Sequence, residues 1–221
     1  LAGRAAAGRA ILDAGCGEGY GLALLARAGA ARVVGADLDE RVIDHVRTAY
    51  APHYRSIEAV ACELMALPLA DDEVDLTVSF QVIEHLHDIP GYLASLRRVT
   101  RPGGTLVVST PNRLTFTPGS AVPTNPFHTR EFAPWELVAE LERAGLVVRR
   151  LVGVHHGAAL RAAERLLGRP LTDVLAAREV GAWPWWLRTL VAAVRPWWFR
   201  LVRNDLEHSL DLVAICGVPP R

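Results

Sequence analysis

The residues best suited to chemistry form a glycine-rich loop over residues 13–19, with the sequence DAGCGEG. The loop follows an apolar run at residues 9–14 and precedes a stretch with helical patterning at residues 20–28. Glycines let the main chain turn tightly and let a ligand approach it closely. The free N–H groups of a helix N-terminus attract anionic or polar groups. The loop therefore predicts a small-molecule site, and the alternative is a tight turn without a ligand.

Acidic and polar residues follow the ends of three further strand-like runs. Asp37 ends the second run, about 20 residues past the glycine loop, where a carboxylate can accept hydrogen bonds from both hydroxyls of a ribose. Asp37 or Asp39 could also cap the helix that follows. Glu63 and Leu64 come after the third run, and residues 80–86, FQVIEHL, begin at the end of the fourth. Because the carboxyl ends of parallel strands meet at one edge of a sheet, we expect these groups around one ligand.

Strand-like and helix-like segments alternate along the chain, which predicts a doubly wound α/β sheet. The apolar runs are nearly continuous, as expected of strands buried on both faces. They lie at residues 9–14, 32–37, 58–62, 74–80, 105–110, 146–154 and 210–216. Helical patterning covers residues 20–28, 38–49, 91–99 and 135–143. Before the fifth strand, residues 101–104 (RPGG) predict a helix stop and a turn.

Two segments depart from this alternation. Residues 111–134 hold five prolines, and a connection of that length in a compact domain is usually a lid or a binding loop. Residues 157–208 are predicted to form a mostly helical insert, which contains five of the six tryptophans. The expected organisation is a ligand-binding domain at residues 1–156 and 209–221, with the insert as a lid or an acceptor-binding element.

The composition of the 221 residues excludes several kinds of protein. All 24 basic residues are arginine, which excludes Schiff-base chemistry, pyridoxal enzymes and P-loop NTPases, because each needs a lysine amine. The formal net charge is zero, so no basic field directs the chain to nucleic acid. Three widely spaced cysteines indicate a reducing compartment. With no visible signal peptide and no apolar run of roughly 18 residues, the expected location is cytoplasmic, or peripheral to the inner membrane face.

Six ordered segments resemble those of the class I S-adenosylmethionine-dependent methyltransferases. They are residues 11–19, Asp37, and residues 67–68, 74–75, 83–86 and 101–104. The resemblance covers residues 7–111 well and the rest loosely. It implies a Rossmann-like sheet of seven strands in the order 3-2-1-4-5-7-6, with the last strand antiparallel and helices on both faces. The Trp-rich insert would precede the last strand.

The resemblance also implies which residues hold S-adenosylmethionine. Six of them belong to the glycine loop and are Asp13, Gly15, Cys16, Gly17, Glu18 and Gly19, of which the three glycines would line the methionine moiety. Within this set, Asp13 and Glu18 would lie near the ammonium group. Asp37 would bind the ribose hydroxyls.

For the adenine, the resemblance implies that Leu38 packs on the ring and that Glu63 binds the amino group, with Leu64 contributing its backbone N–H. The family usually has Asp at the position of Glu63, so in this chain a longer side chain would contact the adenine amino group. Phe80 and Gln81 would flank the cofactor near the sulfonium.

Two histidines are candidates for activating a methyl acceptor. His85 is the first candidate base for a hydroxyl proton, because it follows the fourth strand beside the expected methyl position. His128 is the second, since it lies in the long segment expected to cover the acceptor. Either could instead be a capping or packing residue.

A metal is an open alternative at the same place. Glu84, His85 and His128 resemble the Glu/His cluster of metal-assisted small-RNA 3′-end methyltransferases and of some ubiquinone-pathway O-methyltransferases. There a divalent ion would lower the pKa of the acceptor hydroxyl. Those clusters have a further Glu where Gln81 stands, so a divalent metal is not expected.

The acceptor is predicted to be a hydroxyl on a small molecule or an oligosaccharide. Residues 109–112 (STPN) and 125–132 (NPFHTREF) resemble methyltransferases found with glycan and glycolipid assembly genes. The insert and the chain ending resemble the mycofactocin oligosaccharide methyltransferases of actinobacteria. Tryptophans stack on sugar faces and close dry pockets. The insert could instead be a helix pair that covers the core, or residues 183–203 could contact a membrane surface.

Two other functions stay open, and the sequence predicts no oligomeric state. The first is a nicotinamide-dependent oxidoreductase, which is disfavoured because Tyr20 stands where the GxGxxG fingerprint needs glycine. The second is a methyltransferase fold that binds a partner or docks on a membrane without catalysis. The intact set of Asp13, Gly15, Gly17 and Asp37 disfavours it.

Overall fold

The computed structural model of the protein describes residues 2–171, 174 and 183–220. Within these residues, one mixed sheet has eight strands in the order β3-β2-β1-β4-β5-β8-β6-β7. The strands are β1 (Ala10–Ala14), β2 (Arg32–Asp37), β3 (Ile57–Ala61), β4 (Val74–Phe80), β5 (Thr100–Pro111), β6 (Val147–His156), β7 (Phe199–Val202) and β8 (Asp211–Gly217). Strands β1 to β5 pair in parallel, and β8 lies antiparallel between β5 and β6. The predicted α/β class and the place of the last strand are confirmed.

The helices among the described residues are α1 (Tyr20–Arg27), α2 (Glu40–Ala49), α3 (Ile89–Val99), α4 (Arg113–Phe116), α5 (Pro134–Arg143), α6 (Ala158–Leu167) and α7 (Trp185–Ala193). Helices α1 and α2 pack on one face of the sheet, and α3 and α5 pack on the other. Successive residues of a strand point to opposite faces. Accordingly, Ile11 packs into the apolar cluster that includes side chains of α1 and α2, whereas Leu12 packs into the cluster with α3 and α5. Strand β1 is therefore an interior strand that is covered by helices on both faces.

A buried polar chain joins the ends of β1 and β4. The Tyr92 hydroxyl on α3 donates to Ser79 Oγ at 2.6 Å, and Ser79 Oγ donates to the Ala14 carbonyl at 2.6 Å. All three residues are buried. Because a buried polar group without a partner is costly, this chain fixes how the two strand ends lie beside each other. The glycine loop leaves the sheet at that point.

The sheet has one strand more than the seven predicted. Strand β7 pairs antiparallel with β6, from Gly153 opposite Val202 to His156 opposite Phe199. It forms the edge of the sheet within the insert that was predicted to be mostly helical. Four residues are too few to show an alternating pattern, and the pairing depends on β6 continuing to His156.

Residues 101–104 were predicted to stop a helix and to turn the chain before the fifth strand. Helix α3 ends just before them, at Val99, but the turn lies within the long strand β5 and not ahead of it. The strand is irregular there, with a register shift between Val74 and Leu76 on β4. Gly103 has a φ of +76° and donates to the Val218 carbonyl at 2.8 Å. The glycines thus allow the chain to turn while its backbone groups stay paired with the neighbouring segment.

The insert contains α6, α7 and β7, while residues 172–173 and 175–182 of the predicted insert lie outside the described residues. Its tryptophans are unevenly buried, and Trp185 and Trp197 are 78 % and 75 % exposed. Among the described residues, no helix has both the length and the apolar character that are needed to cross a membrane.

Candidate active site

A cavity of about 710 Å³ opens at the carboxyl edge of the sheet, where β1, β2, β3 and β4 end. Eleven of the twelve residues predicted to bind the cofactor line it. They are Asp13, Gly15, Cys16, Gly17, Glu18, Asp37, Leu38, Glu63, Leu64, Phe80 and Gln81. The first candidate base, His85, lines it as well. The topology thus brings together groups that lie far apart along the chain.

The glycine loop is fixed by main-chain hydrogen bonds and by Asp37. The N–H groups of Gly15 and Cys16 both donate to the Ala36 carbonyl, at 2.8 and 3.1 Å, and the N–H of Gly17 donates to Asp37 Oδ2 at 3.0 Å. Gly15 has a φ of +79°, and a Cβ at this position would overlap the side chain of Val82. A larger residue at Gly15 would therefore displace the loop or the floor of the cavity.

Asp37 and Asp39 have different roles, although the sequence left the helix cap open between them. Asp39 is the N-cap of α2 and accepts from the N–H of Arg41 at 2.9 Å. Asp37 instead directs its carboxylate to the N–H groups of Gly17 and Asp39 and lines the cavity. It thereby holds the loop and presents an acceptor to a ligand.

Gly19 does not line the cavity, which differs from the role that was predicted for it. It is the N-cap of α1, with a φ of +86°, and a Cβ there would lie 2.6 Å from Val46 Cγ2 and 3.2 Å from the Tyr50 ring. Its absent side chain therefore leaves room for the packing of α2 against the loop.

Asp13 is the charged group that is most poorly solvated in the cavity, with 6 % of its surface exposed. Burial raises its pKa to about 7, and the nearby Asp37 carboxylate contributes to the same shift. A bound cation would relieve both effects, since an opposite charge favours the carboxylate form. Cys16 lies next to these acids, and burial followed by their charge raises the pKa of its thiol to about 12, so this thiol stays neutral.

The part of the cavity that was expected to hold the adenine has an apolar wall and one carboxylate. Leu38 is exposed on one side, Leu64 is buried, and Glu63 is exposed at the rim. Met65 completes the wall, although the sequence analysis did not select it. Its position directly after the predicted pair was a signal that could have found it.

The two candidate histidines lie next to each other. Their rings pack edge to face with centroids 4.9 Å apart, and His85 lines the cavity. Nδ1 of His85 faces the Phe127 carbonyl at 2.9 Å, and Nδ1 of His128 faces Glu131 Oε1 at 2.8 Å. Because a carbonyl and a carboxylate only accept, both Nδ1 atoms carry the proton and Nε2 of each neutral ring is an acceptor.

Asn125 and Glu131 were missed as members of this network. The Asn125 Nδ2 group lies 2.9 Å from Nε2 of His128. Oδ1 of the same Asn125 side chain accepts a hydrogen bond from the N–H of Phe127. Glu131 has a fully buried side chain. Both residues belong to the segment 125–132 that was singled out in the sequence, and their spacing of three residues on either side of His128 was the available signal.

Glu84 lies beside the histidine pair and is 1 % exposed. Its Oε2 accepts from Thr110 Oγ1 at 3.0 Å, and its backbone carbonyl accepts from the N–H of Thr129 at 2.7 Å. Burial raises the pKa of Glu84 above its ordinary value. One carboxylate oxygen of Glu84 and one ring nitrogen each of His85 and His128 lie within 4.8 Å of one another, so this group could hold a metal ion.

The cavity also includes residues that had no predicted role: Tyr20, Gly21, Met65, Val82 and Leu86. Val82 closes the floor under Gly15. They are apolar or small side chains next to predicted residues, and their types alone do not indicate a ligand.

A doubly wound sheet with a glycine loop after β1, an acid after β2 and a cavity at the carboxyl edge defines the class of proteins that bind nucleoside-containing cofactors. The residues present fit S-adenosylmethionine. The buried Asp13 carboxylate suits its ammonium group, Asp37 suits the ribose hydroxyls, and the wall of Leu38 and Met65 suits the adenine.

Comparison with known proteins identifies the particular family. Residues 12–108 match the family described as "Methyltransferase domain". A probable S-adenosylmethionine-dependent methyltransferase of Mycolicibacterium smegmatis is 46 % identical over 218 residues, which cover 96 % of this chain and 83 % of that protein. The chain therefore belongs to the S-adenosylmethionine-dependent methyltransferases, and its cofactor is S-adenosylmethionine.

Two further similarities are less close. A ubiquinone biosynthesis O-methyltransferase of Sinorhizobium fredii is 31 % identical over 158 residues, which cover 66 % of this chain and 63 % of that protein. The crystal structure of an S-adenosylmethionine-dependent methyltransferase from Mesorhizobium loti superposes with a TM-score of 0.63 at 20 % identity, covering 98 % of this chain and 95 % of that one. The second similarity shows the fold alone.

Proposed function

We propose that the protein transfers the methyl group of S-adenosylmethionine to a hydroxyl oxygen of an oligosaccharide or a small molecule. The specific candidate is the mycofactocin oligosaccharide. The observation that carries the proposal is the His85–His128 pair beside the cofactor cavity, since a hydroxyl is the acceptor that needs a proton removed. The name of the ubiquinone biosynthesis O-methyltransferase, a relative over 66 % of this chain, supports transfer to oxygen.

The chain's own residues would hold the cofactor and the proton. Asp13 would pair with the ammonium group and Asp37 with the ribose hydroxyls. S-adenosylmethionine supplies a methyl group whose bond to sulfur breaks with both electrons left on sulfur as the acceptor oxygen bonds to the carbon. Nε2 of His85 would accept the hydroxyl proton, because Nδ1 is committed to the Phe127 carbonyl. His128 is the second candidate.

Two exposed aromatic rings beside the histidines support a sugar acceptor. Phe127 is 77 % exposed, and its carbonyl binds His85. The Phe116 ring is also exposed and stacks on His128, with centroids 5.6 Å apart and planes inclined by 30°. Flat apolar rings at the rim of a polar site suit the faces of sugar rings.

The direct test is transfer of a deuterated methyl group in an extract of mycofactocin-producing cells, followed by mass spectrometry. We expect an oligosaccharide that gains one labelled methyl, with fragmentation placing the label in an ether linkage. A label on nitrogen or carbon would contradict O-methylation. No labelled product, together with retained binding of the cofactor, would favour the fold as a binding module without catalysis.

His85 has a matched control two residues away. We expect His85→Ala to lower kcat by about 10²–10⁴-fold with little change in cofactor affinity, as for loss of a general base. His87 is exposed and does not line the cofactor cavity, so His87→Ala should leave kcat unchanged. Turnover of His85→Ala at the wild-type rate would move the role to His128.

A further inference from the structure

We infer that Glu84, His85 and His128 form a binding site for a divalent transition-metal ion, with Mn²⁺ and Zn²⁺ as the ions to test. The inference rests on the proposed function for its chemical purpose, because the site lies where the acceptor hydroxyl would approach. It stands on three features of the structure: the ligand geometry, the groups behind the ligands, and unpartnered buried carboxylate oxygens.

The ligand atoms are close enough for one ion. One oxygen of Glu84 and one nitrogen of each histidine lie within 4.8 Å of one another. Around an ion with bonds of about 2.1 Å, ligand atoms lie about 3 Å apart when adjacent and about 4 Å apart when opposite. Small side-chain rotations would bring the three atoms to these distances.

Both histidines are held as metal ligands are held. A ligating histidine usually donates its other N–H to a carboxylate or a backbone carbonyl, which fixes the ring and its tautomer. His128 donates to Glu131 Oε1 and His85 to the Phe127 carbonyl. Each ring therefore offers Nε2 as a lone pair. At His128 the ion would replace the N–H of Asn125, which now donates to Nε2.

Two buried carboxylate oxygens lack a partner. Among the described residues, Glu84 Oε1 and Glu131 Oε2 have no hydrogen bond, although both atoms are buried. An unpaired buried carboxylate is costly, and buried charges are normally paired or bound to a metal. No arginine forms an ion pair with Glu84 in the part of the chain that the structure describes. A cation bound between the three residues would supply the missing charge.

Two imidazoles and one carboxylate leave coordination positions open for substrate. The acceptor hydroxyl would occupy one of them, and the ion would lower its pKa. The hydroxyl proton would then leave to water, and the oxygen would form its bond to the methyl carbon while the carbon–sulfur electron pair stays on sulfur. In this route His85 is a ligand, and coordination replaces direct proton transfer to its Nε2.

The test is titration of chelator-treated protein with Mn²⁺, followed by electron paramagnetic resonance and calorimetry. We expect one Mn²⁺ per chain, with affinity reduced at least tenfold in His85→Ala and in His128→Ala. His87→Ala should bind as the wild type does. Absence of binding by the wild type, or binding by His85→Ala and His128→Ala that is as tight as that of the wild type, would overturn the inference.

Methyl transfer measured with and without EDTA separates this inference from the proposed function. Loss of transfer in EDTA and its return with Mn²⁺ or Zn²⁺ would support both. Unchanged transfer in EDTA would overturn the catalytic role of the metal and leave O-methylation by direct proton transfer standing. Tight Mn²⁺ binding at the three residues without transfer to any hydroxyl would overturn the proposed function and leave the metal site standing.

Discussion

Asp13 combines a catalytic-site position with an unfavourable environment. Its carboxylate is buried at the end of β1, next to Asp37, and these surroundings raise its pKa to about 7. Such a group costs stability in the free protein and becomes favourable when a cationic ligand arrives. The sequence could place an acid at this point, but it could not show the burial that changes its protonation.

The raised pKa of Asp13 predicts a pH dependence of cofactor binding. Below pH 7 the carboxyl group of the free protein is protonated, and binding of the ammonium group must first remove that proton. The dissociation constant for S-adenosylmethionine should therefore rise as the pH falls below about 7, and the rise should approach about tenfold per pH unit. Calorimetry over this range measures it.

Asp13→Asn is the control for this dependence. The pKa of Asp13 is higher in the folded protein than in the unfolded chain. Ionised Asp13 therefore destabilises the fold: its contribution lowers the free energy of unfolding as the pH rises towards 7, and the full penalty is present above 7. The variant should bind the cofactor weakly at every pH and should have a higher free energy of unfolding than the wild type at pH 8. A wild-type pH dependence in Asp13→Asn would assign the titration to another group.

Asp37 and Asp39 allow a test of ligand binding against helix capping. We expect Asp37→Ala to weaken S-adenosylmethionine binding by roughly 1–3 kcal/mol, because charge-assisted hydrogen bonds to the ribose and the loop are lost. Asp39→Ala should lower the free energy of unfolding by about 1 kcal/mol through loss of the α2 cap, with unchanged cofactor affinity. Equal affinities in Asp37→Ala and the wild type, measured by calorimetry, would remove Asp37 from the site.

At the scale of elements, the sequence was informative where a pattern is local. β2 and β4 have the predicted bounds, because each is a buried apolar run between polar residues. The loop after β1 and the acid after β2 could be placed for the same reason. β7 and the path of residues 101–104 could not, since both depend on pairing with segments distant in sequence. Likewise, the sequence shows that Glu131 is three residues from His128, but it does not show that the two side chains form a buried hydrogen bond.

A buried amide helps to hold the segment after β5 against residues 206–209. Asn112 is fully buried, and its Nδ2 group donates to the carbonyls of Leu206 and Ser209, each at 2.9 Å. Its Oδ1 also accepts from the N–H of Leu114 at 3.2 Å, which caps α4. This side chain therefore fixes where the covering segment 113–131 starts.

Asn112→Ala should lower the free energy of unfolding by about 1–3 kcal/mol, because the carbonyls of Leu206 and Ser209 each lose one of their donors and α4 loses its N-cap. The exposed Asn204 gives a matched control, and Asn204→Ala should change stability by less than about 0.5 kcal/mol. Urea denaturation followed by circular dichroism measures both. Equal midpoints for the two variants would show that the amide does not hold the segment.

At the scale of the whole molecule, the insert is the part that lies outside the cofactor-binding sheet apart from the edge strand β7. Residues 183–204 contain four arginines and no acidic residue, and they present the exposed rings of Trp185 and Trp197. Aromatic and basic side chains together are typical of membrane-interface segments. Contact with a membrane surface stays a prediction, and flotation with anionic vesicles would support it, whereas protein left in the bottom fraction would contradict it.

The central claim is that the glycine loop, Asp37 and the wall at Leu64 enclose S-adenosylmethionine. A crystal structure with the demethylated product, S-adenosylhomocysteine, tests it most directly. We expect the ribose hydroxyls within hydrogen-bond distance of Asp37, the amino group beside Asp13, and the sulfur towards the end of the cavity that holds His85. A cavity that stays empty at saturating ligand, or that the protein's own side chains fill, would contradict the claim.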